Sequence, residues 1–178
     1  MKKVLAVIDV QQDFVTGALG TLEAQQAMPA LIKKVREFDG EIVLTMDTHG
    51  ADYLSTQEGR HLPVAHCIEN SAGWKLMPEL DAVLKDKPHR IFRKPTFGSL
   101  PFGEYLADKF NAGELESVEF VGFCTDICVV SNILLLKALV PELPISIDPA
   151  CCAGVSPERH QAALEVLASC QIGAQAHT

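Results

Sequence analysis

Short apolar runs alternate with stretches of helical periodicity along the whole chain, and that alternation most constrains what it folds into. "KVLAVIDV" (3–10) is a continuous apolar run, as expected of a strand buried on both faces. "QQAMPALIKKVREF" (25–38) is spaced as a helix, and "GEIVLTMD" (40–47) is a second strand. A long polar loop runs from Thr48 to about Ser71. Beyond it, a helix at 77–84 precedes a strand at 89–94, and a helix at 102–113 is closed by Gly113. A strand at 117–123 is followed by a helix over roughly 126–139 and a fifth strand at 143–150. The last helix, 156–170, has Ser156 as its cap and Pro157 in its first turn, and a sixth strand follows at 171–176. Strands alternating with helices predict one α/β domain over 1–178: a six-stranded, mostly parallel sheet with helices on both faces.

Composition narrows the function classes. A net charge of −8 argues against a nucleic-acid footprint, which needs clustered Lys and Arg. No apolar run approaches the roughly 18 residues of a membrane span. The opening "MKKVLAVIDV" has the positive end and apolar run of a short signal peptide, but Asp9 interrupts it and no small-residue cleavage site follows. Six cysteines without framework spacing suggest reduced thiols and a cytoplasmic address.

Open parallel sheets bind ligands beyond the carboxyl ends of their strands. Asp9 ends the first strand, Asp47 the second and Lys94 the third, while Cys128 follows the fourth. Four reactive side chains from distant positions are thus expected at one sheet edge. Cys128 lies in the first turn of its helix, where the dipole and a cation such as Lys94 favour a thiolate. Asp9 is then a candidate proton acceptor, and the backbone N–H groups of 124–128 candidate oxyanion donors. A buried Cys usually fills space as a small hydrophobe, which is the reading for Cys67, Cys151, Cys152 and Cys170. Spacing alone leaves Cys128 open between that role and a nucleophile. It likewise leaves the loop holding Asp47, His49, Asp52, Glu58, His61 and His66 open between a polar surface and a metal site. Carboxylate and imidazole donors together suit zinc, iron or manganese better than calcium.

"VIDVQQDF", "RKPTFGS" and "GFCTDICV", in that order, resemble the isochorismatase-like cysteine hydrolase superfamily, nearest to nicotinamidases and related amidases. "DPACCAGVSPERHQAAL" is similar to the family's closing segment, so the resemblance spans essentially the whole chain. It implies a Rossmann-like three-layer fold, with Asp9 as general base, Lys94 as its lysine and Cys128 as nucleophile. It also implies a cis peptide between Phe123 and Cys124, which turns the Cys124 N–H inward beside that of Cys128 as an oxyanion hole. Asp47, His49 and His66 match metal ligands, with Glu58 as third ligand and His61 as the alternative. The metal is expected to be divalent, zinc first, with iron or manganese as alternatives.

The implied reaction is hydrolysis of a small carboxamide, nicotinamide first, by a homo-oligomer with no nucleic-acid or membrane partner. Phe14 matches an aromatic of the substrate pocket. "LPVAH" has Leu62 where relatives carry Trp, and "TFGSLPF" replaces an aromatic-Ser-Ala-Phe stretch, so Phe97 and Trp74 become the candidates for the missing ring face. Other classes consistent with the fold are a metal-free amidase of the carbamoylsarcosine type and a non-catalytic binding or redox-sensing protein.

Overall fold

The computed structural model describes residues 2–174. Six strands form one sheet: β1 Lys2–Ile8, β2 Glu41–Asp47, β3 His89–Lys94, β4 Leu115–Phe123, β5 Ile145–Ala153 and β6 Gly173–Ala174. Their spatial order is β3-β2-β1-β4-β5-β6, and every adjacent pair is parallel. The chain builds outward from β1 to β3, then returns to start again on the other side of β1. That reversal places the crevice of the sheet beyond the carboxyl ends of β1 and β4.

Among the described residues seven α-helices flank the sheet: α1 Gln12–Val15, α2 Leu22–Glu37, α3 Gln57–His61, α4 Pro78–Leu84, α5 Leu100–Asn111, α6 Val130–Leu139 and α7 Pro157–Ser169. Alternation along β1 sends Val4, Ala6 and Ile8 into a core with Phe102, Leu106, Ile133 and Leu136. Leu5 and Val7 enter the opposite core, with Leu31 and Val35 of α2 and Leu80 and Leu84 of α4. Two apolar layers therefore sandwich the sheet, which explains why the central strands read as unbroken apolar runs.

Local chemistry explains the boundaries. Thr21 caps α2 through the Ala24 N–H, so the helix begins at Leu22, ahead of the expected residue 25. Ser99 caps α5, which ends at Asn111 before Gly113 turns the chain at φ 72°. Ser156 caps α7, with Pro157 at its start, as expected. The polar loop 48–71 contains order the sequence reading did not include: a 3₁₀ turn at Tyr53–Ser55 and α3, capped by Thr56. Of the sixth strand expected at 171–176, Gly173–Ala174 is observed, and residues 175–176 lie outside the described residues.

β5 departs most from expectation. It runs on to Ala153, past the expected end at 150, because it bulges: Phe120 pairs with Ile147, yet Gly122 pairs with Cys152. The bulge contains Asp148, fully buried, whose carboxylate meets Lys34 Nζ at 2.7 Å. Lys34 also reaches Glu119 on β4 at 2.6 Å, so one ammonium from α2 joins both strands. Removing a partner from a buried ion pair leaves an uncompensated charge. Lys34→Met is expected to lower unfolding free energy by roughly 2–3 kcal/mol in urea titration, against a change within about 0.5 kcal/mol for exposed Lys33→Met. Equal stabilities for the two variants would show that the bulge does not depend on Lys34.

Candidate active site

Gly122, two residues before the turn that carries Cys124 and Cys128, has φ 123°. A Cβ there would stand 2.1 Å from the Ile8 carbonyl oxygen, so only glycine lets the end of β4 press against the end of β1. Asp9 follows Ile8 with φ 49°, a left-handed conformation that re-aims its side chain as the strand ends. The Phe123–Cys124 peptide is cis. The chain then enters a wide π-type turn, Thr125–Val129, in which the Val129 N–H donates to the Cys124 carbonyl at 3.1 Å. Cys128 sits in this turn, ahead of α6.

Lys94, at the end of β3, joins these groups. Its Nζ lies 2.6 Å from Asp9 Oδ2, 3.5 Å from Cys128 Sγ and 3.5 Å from Asp47 Oδ1. Asp9 Oδ1 accepts a hydrogen bond from the Thr45 hydroxyl at 2.7 Å. Oδ2 meets the ammonium as an ion pair but has no aligned hydrogen bond. Asp9, Lys94 and Cys128 are all buried, at 0%, 1% and 4% exposure.

Burial alone would lower the Lys94 pKa, but the charges of Asp9, Cys128 and Asp47 outweigh it, so the lysine stays an ammonium. Burial raises the Asp9 carboxyl above its usual range, against the pull of Lys94. The Cys128 thiol departs from the sequence expectation of a lowered pKa. Burial first, and then the charge of Asp9, push it well above the ordinary thiol value despite Lys94. The resting sulfur is therefore a thiol, and it needs an acceptor to become nucleophilic.

A second cluster adjoins the first through Asp47. Asp47 Oδ2 lies 3.0 Å from His49 Nε2 and 3.5 Å from His66 Nε2. Glu58 Oε1, carried in by α3, lies 3.7 Å from His49 Nε2 and 3.8 Å from His66 Nε2. One donor atom from each of Asp47, His49 and His66 falls within 4.8 Å of the others. His66 Nδ1 donates to the Val64 carbonyl at 2.8 Å, so Nε2 is the nitrogen that faces the cluster, where Asp47 raises the His66 pKa against burial. Two imidazoles with two carboxylates fit a divalent ion of the zinc type. His61 is turned aside: its Nδ1 bonds the Gln57 carbonyl at 2.8 Å on the exposed side of α3. Glu58 approaches the histidines, and His61 does not.

The supporting hydrogen bonds come mostly from residues that sequence reasoning passed over. Gln11 accepts from the Asp47 N–H at 2.7 Å and donates to the Asp47 and Trp74 carbonyls, both at 2.8 Å. Tyr53 stands 4.7 Å from His49 and 4.9 Å from His66, ring to ring, and donates its hydroxyl to the Leu62 carbonyl at 3.0 Å. Asn132, one turn after Cys128 on α6, donates to the carbonyls of Cys128 (2.8 Å) and Phe97 (3.1 Å) and accepts from the Ser99 N–H (2.9 Å). Burial lowers the His160 pKa, and its Nδ1 lies within hydrogen-bond distance of the Thr125 hydroxyl at 2.8 Å. Gln11 lies inside the quoted "VIDVQQDF", and Thr125 and His160 lie inside other quoted motifs, but no periodicity marks their partners.

A cavity of about 800 Å³ opens beside the clusters, lined by His49, Glu58 and His61 together with Ile127, Tyr53, Leu62 and Phe97. Of the three expected pocket aromatics, Phe97 lines it, and Phe14 packs edge-on to His66 at 5.7 Å. Trp74 is not among the lining residues. Its indole N–H donates to the Thr48 hydroxyl at 2.9 Å, and the Arg93 guanidinium lies 4.8 Å above its ring.

Comparison with known proteins places this geometry. No curated protein sequence matches the chain. Among solved structures, the nicotinamidase/pyrazinamidase PncA of Bacillus subtilis superposes with a TM-score of 0.84 at 25% identity, covering 99% of this chain and 100% of that one. A pyrazinamidase of Pyrococcus horikoshii in complex with zinc gives 0.81 at 24% identity, covering 99% and 100%. An isochorismatase-like hydrolase of Alkaliphilus metalliredigens gives 0.75 at 21%, covering 98% and 94%. The family model for the isochorismatase domain matches residues 3–178, and the chain belongs to that family.

Proposed function

We propose that the chain is a cysteine amidohydrolase that cleaves the C–N bond of a small carboxamide, with nicotinamide as the parent substrate, releasing ammonia and the acid. The observation that carries this reading is Lys94, which contacts the Cys128 sulfur and the carboxylates of Asp9 and Asp47 at once. A buried thiol with a raised pKa is a poor nucleophile until its proton is taken, and Asp9 supplies the base. Transfer of that proton to Asp9 leaves a thiolate, which Lys94 stabilises across 3.5 Å.

The thiolate attacks the carbonyl carbon, forming a C–S bond. The resulting oxyanion takes hydrogen bonds from the Cys124 and Cys128 N–H groups. Collapse breaks the C–N bond, and the proton held by Asp9 leaves with ammonia. Water then gives a proton to Asp9 and its hydroxyl to the thioester carbon, and the acid departs as Cys128 recovers its proton. Thr45, bonded to Asp9 Oδ1, holds the carboxylate in place through both half-reactions.

Asp47, His49, Glu58 and His66 would hold a divalent ion, zinc by analogy with the Pyrococcus relative, which supplies Lewis acidity to orient a ring nitrogen or a water. Around that position the chain's own groups fix the ligands: Gln11 anchors Asp47, and Val64 sets the His66 tautomer.

Cys128→Ala is expected to keep the fold and the bound metal while lowering amide turnover by at least about a thousandfold, read as ammonia release. Near-wild-type turnover in that variant would overturn the mechanism. Asp47→Ala combined with His49→Ala is expected to strip the metal, read by elemental analysis. Unchanged metal content in that double variant would refute the ligand assignment.

A further inference from the structure

Lys94 and Cys128 meet across a gap that no strand pairing closes. Lys94 ends β3 and Cys128 follows β4, and in the order β3-β2-β1-β4 two strands stand between them. Three strand spacings amount to about 14 Å, yet Lys94 Nζ lies 3.5 Å from Cys128 Sγ. The sheet ladder fixes Lys94 against Asp47 of β2, and Gly122 of β4 against Ile8 of β1. It sets the separation of the two reacting groups only indirectly.

One buried side chain spans the gap directly. Asn132, on α6, accepts from the Ser99 N–H at 2.9 Å and donates to the Phe97 carbonyl at 3.1 Å, both in the loop that follows Lys94. The same amide donates to the Cys128 carbonyl at 2.8 Å. Among the described residues, the bonds to Phe97 and Ser99 and the Lys94–Cys128 contact are the only hydrogen bonds joining 94–99 to 124–132. The loop lies close against the helix there: a Cβ on Gly98 would stand 3.4 Å from the Ser131 carbonyl oxygen. Two carbonyls and one N–H take up both donors and the acceptor of the amide, so its orientation is fixed.

We propose that Asn132 is a positioning residue that sets the distance between Lys94 and Cys128, and with it the reactivity of the sulfur. The proposal rests on the amide-hydrolase reading above and adds to it a residue that acts through its neighbours. Without this tie the loop after Lys94 and the turn of Cys128 are free to part. Water then enters between ammonium and sulfur, the effective dielectric rises, and the thiolate loses the charge that stabilises it.

The test uses Asn132→Ala and Asn132→Ser in the full chain. Ala removes all three bonds. A Ser hydroxyl still reaches the Cys128 carbonyl one turn back but is too short for Phe97 and Ser99, so it cuts the tie across the gap alone and spares the helix. Both variants are expected to lower kcat for nicotinamide about tenfold, with KM and metal content unchanged. Iodoacetamide labelling without substrate gives a second readout, with the partly buried Cys170 as reference thiol. Loss of the Lys94 contact slows labelling of Cys128 relative to Cys170 by about tenfold, whereas a merely loosened fold exposes Cys128 and speeds it. Faster labelling of Cys128, or unchanged kcat in Asn132→Ser, would overturn the positioning role. Labelling needs no substrate, so it decides the role of Asn132 separately from the amidase reading, which absence of turnover by the wild type would overturn.

Discussion

The buried ammonium of Lys94 is the interaction on which the rest of the site depends. Two carboxylates and a thiol converge in a space with almost no solvent, and one cation lies within 3.5 Å of all three. At an effective dielectric near 20, its attraction to Asp9 at 2.6 Å amounts to about 6 kcal/mol, and that to Asp47 at 3.5 Å to about 5 kcal/mol. Desolvation costs several kcal/mol for each ion, so the pairing holds only while all members stay together. The same geometry keeps Cys128 a thiol at rest and gives it an acceptor within its own cluster. One anionic charge beyond the lysine's capacity remains at Asp47. Its position beside His49, Glu58 and His66 makes the donor set complementary to a divalent cation.

The fold delivers these groups by a topological device. Because β1 and β4 are neighbours while their connections run to opposite sides, Asp9 and the Cys124–Cys128 turn emerge side by side. Gly122 lets the two strand ends approach at a distance that any Cβ would prevent. β2 and β3 then add Asp47 and Lys94 in direct register, paired across the sheet. Asn132 and Tyr53 extend the order outward, the first from the helix that follows Cys128 and the second packed beside the two histidines.

Much of this was legible in the sequence because it depends on period and position. Apolar runs located the central strands β1, β2, β4 and the start of β5, and the strand ends located Asp9, Asp47 and Lys94 at one edge. What escaped depends on contacts between distant residues. The β5 bulge holds Asp148 against Lys34, 114 positions earlier in the chain, and that pairing leaves no mark on local hydropathy. The raised thiol of Cys128 follows from burial and from Asp9, which outweigh the lysine and helix dipole that local reading emphasises. That Glu58 rather than His61 approaches the histidines follows from which face α3 turns toward them. Trp74 is aromatic and close in sequence to the metal loop, yet it stays out of the cavity lining, its indole N–H donating to the hydroxyl of Thr48, which does line it.

The most direct measurement is ammonia release from nicotinamide by purified protein, with bound metal determined on the same sample. The account predicts steady release together with about one divalent ion per chain. A sample with neither metal nor turnover would contradict it, because the Asp47–His49–Glu58–His66 cluster would then be a polar wall rather than half of a reaction centre.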